Sequence, residues 1–412
     1  MDLFRISWLK TLYRNRWLYI LALPMFTFAF ADDKQHTEVP YVSLGANGEL
    51  RVDDQPFLPI FVWAQPVRNF DFLMSLGINT FMGEGAQRIA AKEFLDEAQA
   101  RGAWGIIHAQ EKNWQLKNHP ALLCWMFGDE PDLPAKGPDG QKLDTPRTLP
   151  EEVARRYQAL KAVDKDHPAY LNLTASFYEQ FARYDEELYR GYCQATDIVG
   201  YDLYPVTGWG RPEWVPLIGK ATRKLADLAG PRVPVWAILE CTTKLRWVSQ
   251  EKLDRLDRPQ GARDFELRSM VWQAIVNGAK GIGYFPHRWE PYKQADISEE
   301  LQAEMIRINQ QLTELAPVIL SPDAVEQVEC EAIGEGSVDI LTKEYEGKLY
   351  LFTVNNNLKP VRVRFTLPSK TKVSEAWVYK EQQVIVVQDG IFEDNLGELG
   401  VRIYVVNGDN MK

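Results

Sequence analysis

Histidine and cysteine are scarce in this chain, and neither is arranged for metal chemistry. The five histidines (His36, His108, His119, His167, His287) include no pair at ligand spacing, and the four cysteines (Cys124, Cys193, Cys241, Cys330) include no Cys-x-x-Cys. A zinc hydrolase is therefore not what the sequence describes, and the reading calls for no metal and no cofactor. Positive charge is not in excess either: 47 Lys and Arg against 57 Asp and Glu give a net charge of −10. That balance argues against nucleic acid or an anionic lipid surface as a partner. No glycine-rich phosphate loop follows an early strand-like run, which removes the usual mark of a doubly wound nucleotide-binding sheet. Internal repeats and low-complexity linkers are also missing.

The first 31 residues differ from the rest. Arg5, Lys10, Arg14 and Arg16 precede the apolar run Trp17 to Phe30, and Ala29-Phe30-Ala31 has the small-x-small form of a cleavage site. This is the order of a secretory signal peptide over residues 1–31. The run is shorter than the about 20 residues a spanning helix needs, and it contains Pro24, which argues against an uncleaved anchor. Its loss leaves a chain starting at Asp32, with net charge near −13, expected in the periplasm, at the cell surface or outside the cell and free of the membrane. Export would permit two disulfides. Cys124 within an apolar run and Cys241 directly after one fit buried thiols equally well.

With 412 residues, 45% of them apolar, the chain exceeds one ordinary domain and can bury a large core. Tyr41 to Leu44 and Glu49 to Val52 flank Asn47-Gly48, a hairpin signal, and a second turn falls at Asp53-Asp54-Gln55. From Leu58, strand-like runs alternate with helical periodicity, which implies crossover connections and a parallel sheet. The strands are expected at Pro59 to Trp63, Gly77 to Met82, Gly102 to His108, Leu122 to Phe127, Ala169 to Leu173, Asp197 to Tyr201, Val233 to Leu239 and Gly281 to Phe285. A last helix carries Leu301, Met305, Ile308, Leu312 and Leu315 on one face. Eight such units predict a (β/α)8 TIM barrel over residues 41–316, hairpin included, with its active site at the C-terminal ends of the strands. After Pro317 short β-branched alternations such as Val361-Arg362-Val363-Arg364-Phe365 predict a C-terminal antiparallel β-sandwich over residues 317–412, packed against the barrel.

Two glutamates close apolar runs: Glu130 after Leu122 to Asp129, and Glu240 after Val233 to Leu239. They stand at the ends of the fourth and seventh strands, where a barrel delivers acids to an exposed rim. Glycoside hydrolysis needs two such carboxyl groups, one to protonate the leaving oxygen and one to attack or to activate water. Asn172 near strand five and His108 after strand three are placed to bind sugar hydroxyls. Trp63 and Trp289, at or just beyond strands one and eight, are placed to stack on sugar faces.

Gly128-Asp129-Glu130-Pro131, Trp236-Ala237-Ile238-Leu239-Glu240 and Gly278 to Phe285 together resemble clan A of the glycoside hydrolases, the beta-galactosidase and cellulase-like barrel enzymes. The resemblance implies retention through two inversions, with Glu130 as acid/base and Glu240 as nucleophile, their carboxyl groups about 5 to 5.5 Å apart. It also implies that Tyr204, in Asp202-Leu203-Tyr204-Pro205, donates to the nucleophile. One position departs from the pattern: Asp129 stands where the clan has the Asn that hydrogen-bonds the sugar 2-hydroxyl. A second acid there would raise the proton affinity of Glu130. The expected partner is a carbohydrate substrate. An inverting glycosidase, with acids about 6.5 to 9.5 Å apart, and a noncatalytic glycan-binding protein on the same fold are the alternatives.

Overall fold

Eight parallel strands close into a barrel in chain order, each hydrogen-bonded to the next and the eighth to the first. The computed structural model describes residues 38–84, 89–243, 261–289 and 292–407. The strands are β1 (Ile60–Trp63), β2 (Thr80–Met82), β3 (Trp104–His108), β4 (Leu122–Asp129), β5 (Ala169–Thr174), β6 (Ile198–Leu203), β7 (Val235–Glu240) and β8 (Ala279–Phe285). Each falls where the sequence puts one, though β4 and β6 run two residues further, to Asp129 and Leu203. The signal-peptide segment lies outside the described residues.

The helices between and after the strands are α1 (Phe70–Ser75), α2 (Ala91–Gln99), α3 (Pro150–Val163), α4 (Glu186–Gln194), α5 (Leu217–Ala229), α6 (Asp264–Val276) and α7 (Glu299–Ile319). β3 and β4 are joined by a 3-10 segment, Glu111–Leu116. Helix α7 buries the face read from its spacing, Leu301, Met305, Ile308, Leu312 and Leu315, and Ser298 caps it by accepting from the Leu301 N–H at 3.3 Å. It runs through Pro317 to Ile319. So close to a helix end, a proline removes only one hydrogen bond.

Helix α6 is buried on almost every side because the C-terminal sheets cover the face the barrel leaves open. Trp272 stacks on Phe352 with centroids 5.6 Å apart and planes 17° apart, Gln273 donates to Asn356 at 2.6 Å and Asn277 to Asp339 at 3.0 Å. The covering strands are β9 (Glu329–Ile333), β10 (Val338–Tyr345), β11 (Lys348–Asn355), β12 (Val361–Thr366), β13 (Glu375–Val378), β14 (Val384–Val386), β15 (Ile391–Leu396) and β16 (Val401–Asn407). They form two antiparallel sheets, β9-β12-β15 and β10-β11-β16-β13-β14. Val361, Val363 and Phe365 face inward and Arg362 and Arg364 outward, as the alternation requires.

At the other end, Val42–Leu44, Leu50–Val52 and Gln55–Phe57 make a small antiparallel sheet. Phe57 meets Trp104 edge-on at 6.0 Å, and Gly48 lies against Pro234, so the sheet closes the N-terminal end of the barrel. The C-terminal mouth is left for a site.

The interior is filled. Phe61, Tyr170 and Trp236 pack together, with centroids 6.2 Å, 5.4 Å and 5.3 Å apart. Glycines admit them: a Cβ on Gly200 would lie 2.0 Å from the Tyr170 hydroxyl oxygen, and one on Gly283 would lie 2.3 Å from the Phe61 ring. This aromatic layer is the floor of the mouth. Cys124, Cys193, Cys241 and Cys330 are free thiols, the first three buried.

Candidate active site

Side chains alternate along a strand, so every second residue from the aromatic floor points up into the mouth. From Ile106 that residue is His108; from Tyr170, Asn172; from Gly200, Asp202; from Trp236 and Ile238, Glu240. β4 breaks the rule with a bulge. Tyr170 pairs with Met126 and Leu171 with Gly128, which leaves Phe127 as an extra residue. Phe127 turns outward onto Tyr157 of α3, 6.2 Å between centroids, and Asp129 comes in beside Asn172.

Asn172 holds two acids at once. Its side-chain nitrogen donates to Asp129 Oδ1 at 3.3 Å and to Asp202 Oδ1 at 3.2 Å. The buried Tyr170 hydroxyl donates to Asn172 Oδ1 at 3.1 Å, which fixes the amide with its NH2 toward the carboxyl groups. Asn172 therefore serves the acids of β4 and β6 from β5.

Glu130 follows the bulge with a φ of +48°, in the left-handed region that costs a non-glycine residue. The surrounding chain holds it there: its N–H donates to the Asn172 carbonyl at 2.8 Å, and its carbonyl accepts from Leu133 at 3.1 Å. Such strain concentrates at functional sites. Burial, then the charges of Asp129 and Asp132, push the Glu130 carboxyl up to about 7, against the pull of Arg147.

The neighbouring acids share that environment. Asp129 stays open to solvent at the mouth, yet protein crowds its carboxyl from the strand side and raises it, opposed by Asn172, Arg147 and His108. Asp132 is buried, accepts from the Thr174 N–H at 3.0 Å and its hydroxyl at 2.5 Å, and is pushed by burial to about 6. Asp202 is raised well above the usual range, first by burial and then by the charges of Glu130 and Asp129. Tyr204 is buried 5.2 Å from Phe285, and burial and then the charges of Asp202, Glu130 and Asp129 raise its hydroxyl.

Glu240 is fully buried rather than exposed at a rim. Oε1 accepts from the Val206 N–H at 2.6 Å; Oε2 accepts from the Thr207 N–H at 2.5 Å and from the Thr207 hydroxyl. Burial raises its carboxyl to about 7, while these donors favour the ionised form. The Tyr204 to Gly210 loop after β6 thus encloses it.

His108 faces Glu84, not open solvent alone. Its Nδ1 lies 2.8 Å from Glu84 Oε2, and its N–H donates to the same oxygen at 3.0 Å. The Glu84 bond raises the imidazole; burial pushes the Glu84 carboxyl up, but its bonds to His108 and the ring's charge outweigh that and lower it. The contact is an ion pair when His108 is protonated, a form that the charge of Asp129 also favours. Trp63, at the end of β1, is half-buried against the barrel interior, its carbonyl accepting from Gln65 at 3.2 Å. Trp289 lies in the short ribbon Arg288–Trp289 paired with Tyr292–Lys293; its side chain lies outside the described residues.

The structure therefore brings Glu130, Asp129, Asn172, Tyr204 and His108 to one mouth, with Glu240 beneath the β6 loop. Asp202 belongs with them and is missed by a strand six that ends at Tyr201; one more alternation from Gly200 reaches it. Thr207 and Glu84 carried no signal, since their roles depend on loops from other strands.

No protein-family profile matches the chain, and no curated protein matches it in sequence. Solved structures with a similar course include an alpha-amylase from Geobacillus thermoleovorans complexed with acarbose, 10% identical over 86% of this chain and 99% of that one, at a TM-score of 0.46. A family 30 endoxylanase from Clostridium papyrosolvens is 12% identical over 90% of this chain and 100% of that one, at a TM-score of 0.46. A β-glucuronidase from Ruminococcus gnavus in complex with D-glucuronic acid is 13% identical over 65% of this chain and 52% of that one, at a TM-score of 0.46.

Proposed function

We propose that the protein is a glycoside hydrolase that cleaves O-glycosidic bonds of an oligo- or polysaccharide with retention, Glu130 acting as acid/base and Glu240 as nucleophile. The observation that carries this reading is the placement of Glu130 and Glu240 at the C-terminal ends of β4 and β7 of one closed barrel, the first held in a strained backbone, the second gripped by three donors. Near neutral pH a carboxyl poised at about 7 is protonated often enough to donate and ionised often enough to accept. Glu130 gives its proton to the departing oxygen while Glu240 bonds to the anomeric carbon. Glu130, now a carboxylate, then takes a proton from water as that water displaces Glu240. Thr207 must yield for the attack, because both oxygens of Glu240 are engaged. Asp129, as acceptor, takes the place of the clan's 2-hydroxyl ligand.

Glu240→Ala with added azide tests the assignment. Azide should restore part of the activity on an aryl glycoside and give a product inverted at the anomeric carbon; Glu130→Ala should accumulate a glycosyl-enzyme labelled on the Glu240 peptide. Both folded variants turning over at wild-type rates would end the proposal.

One observation favours a second reading. Glu240 has no exposed surface, whereas Asp202 is partly open and feels the charge of Glu130. In that reading the second carboxyl is Asp202, and a trapped label is found on its peptide.

We further propose that residues 1–31 direct export and are removed. Intact mass of the exported protein tests this, and a chain retaining Met1 to Ala31 contradicts it.

A further inference from the structure

The loop that holds Glu240 also carries part of an aromatic cluster that the proposed chemistry does not use. Trp209, on the loop after β6, stacks on Phe181 from the loop after β5, with centroids 5.5 Å apart and planes 24° apart. Trp214 meets Phe181 edge-on at 5.5 Å and leans on Trp209 at 5.9 Å. The Arg211 guanidinium lies 5.5 Å from the Trp214 ring centre and donates to Glu213 at 3.1 Å. Phe181 and Trp214 are half-buried, but Trp209 in front of them is 38% exposed. A cluster serving only to pin two loops would gain by covering this indole as it covers the equally large Trp214.

The cluster is tied to the candidate site by a short, ordered piece of chain. Thr207 holds Glu240, and Trp209 is two residues further on, a span of at most about 7 Å. The segment is fixed by Gly208 N–H to the Tyr204 carbonyl at 3.1 Å, Gly210 N–H to the Val206 carbonyl at 2.8 Å and Arg211 N–H to the Pro205 carbonyl at 2.8 Å. The ring is therefore held in place beside the β5 to β6 edge of the mouth, where Asn172 and Asp202 also lie.

We propose that Phe181, Trp209 and Trp214 form a stacking platform for a sugar unit remote from the acids, so that the substrate is an extended glycan of pyranose units presenting flat C–H faces. The inference rests on the glycosidase reading for where the chain enters. The chemistry is that of aromatic recognition: an indole face covers the axial C–H face of a ring with equatorial hydroxyls, and the Arg211 edge supplies polar contact to those hydroxyls. A disaccharide confined to the acids gains nothing from the platform; a longer chain does.

The test measures binding and turnover separately. Wild type, Trp209→Leu, which keeps apolar packing without the flat ring, and Trp209→Phe, which keeps a smaller ring, are titrated calorimetrically with cello-, xylo-, manno- and maltohexaose and with the matching trisaccharides. The same proteins are assayed on 4-nitrophenyl monosaccharides. At least one hexasaccharide should bind wild type more tightly than its trisaccharide. Trp209→Leu should lose that advantage, weakening the hexasaccharide by about tenfold, and Trp209→Phe should recover part of it. Aryl glycoside hydrolysis should change less than twofold. A length advantage that persists in Trp209→Leu, or wild type that binds no hexasaccharide, overturns the platform. A length-dependent affinity lost in Trp209→Leu, without hydrolysis of any substrate by wild type, supports the platform and defeats the glycosidase reading alone.

Discussion

Thr207 donates both its backbone N–H and its hydroxyl to one carboxylate oxygen of Glu240. The contact joins the loop after β6 to the last residue of β7, so the state of one acid depends on the conformation of a neighbouring loop. Burial alone would keep this carboxyl neutral; the donors pull the other way and leave it near 7.

Thr207→Val removes the hydroxyl and keeps the shape. With one donor gone, the ionised form of Glu240 is less favoured and its proton is lost at higher pH. The ascending limb of the kcat/KM profile, which reports the nucleophile in the free enzyme, should therefore move to higher pH, with stability reduced by about 2 kcal/mol. An unchanged limb in a folded Thr207→Val protein would separate Glu240 from the rate.

The burial of Glu240 also changes what its removal does to the fold. As an exposed rim acid it would contribute little to stability, which is how the sequence reads; enclosed, it satisfies Val206 and Thr207. Glu240→Ala leaves those N–H groups without their acceptor and should cost about 1–3 kcal/mol, seen as a lower urea midpoint at unchanged m. A midpoint equal to wild type would mean that the loop finds other acceptors.

Much of this site was legible in the order of strands, because period-two alternation and a terminal acid survive in a single sequence. Glu130, Glu240 and Asn172 come from that signal. Asp202 was missed for a reason of one residue: the strand carrying it continues past Tyr201. The inward turn of Asp129 depends on the Phe127 bulge, which shows only when β4 is paired with β5. The burial of Glu240 was not legible at all, since it depends on where the β6 loop folds.

Stability should fall as pH rises from 6.5 to 7.5. Glu130 and Glu240, near 7 when folded, and Asp132, near 6, all lie above their unfolded values. Such groups contribute stability that is complete below the unfolded value and is lost as pH rises through the folded one. His108, raised by Glu84, acts in the same direction. His287 is lowered by burial, and its opposing contribution lies mainly below about 6.5. Calorimetric Tm values at the two pH values check this; a higher Tm at pH 7.5 would mean that these carboxyl groups stay ionised in the folded chain.

Gly200→Ala should disturb the site through the floor beneath it. The new Cβ would sit 2.0 Å from the Tyr170 hydroxyl oxygen and 2.6 Å from two ring carbons, and Phe61 and Trp236 leave that ring no room to retreat. Overpacking of this kind costs about 1–3 kcal/mol. It also pushes the hydroxyl off Asn172, releasing the amide that holds Asp129 and Asp202. Tyr170→Phe removes the same hydrogen bond without adding bulk. Both variants should therefore shift the pH profile in the same direction, while Gly200→Ala loses more thermal stability. If only stability changes and the two pH profiles overlay wild type, Asn172 is held by its own packing and the Tyr170 hydroxyl does not orient it.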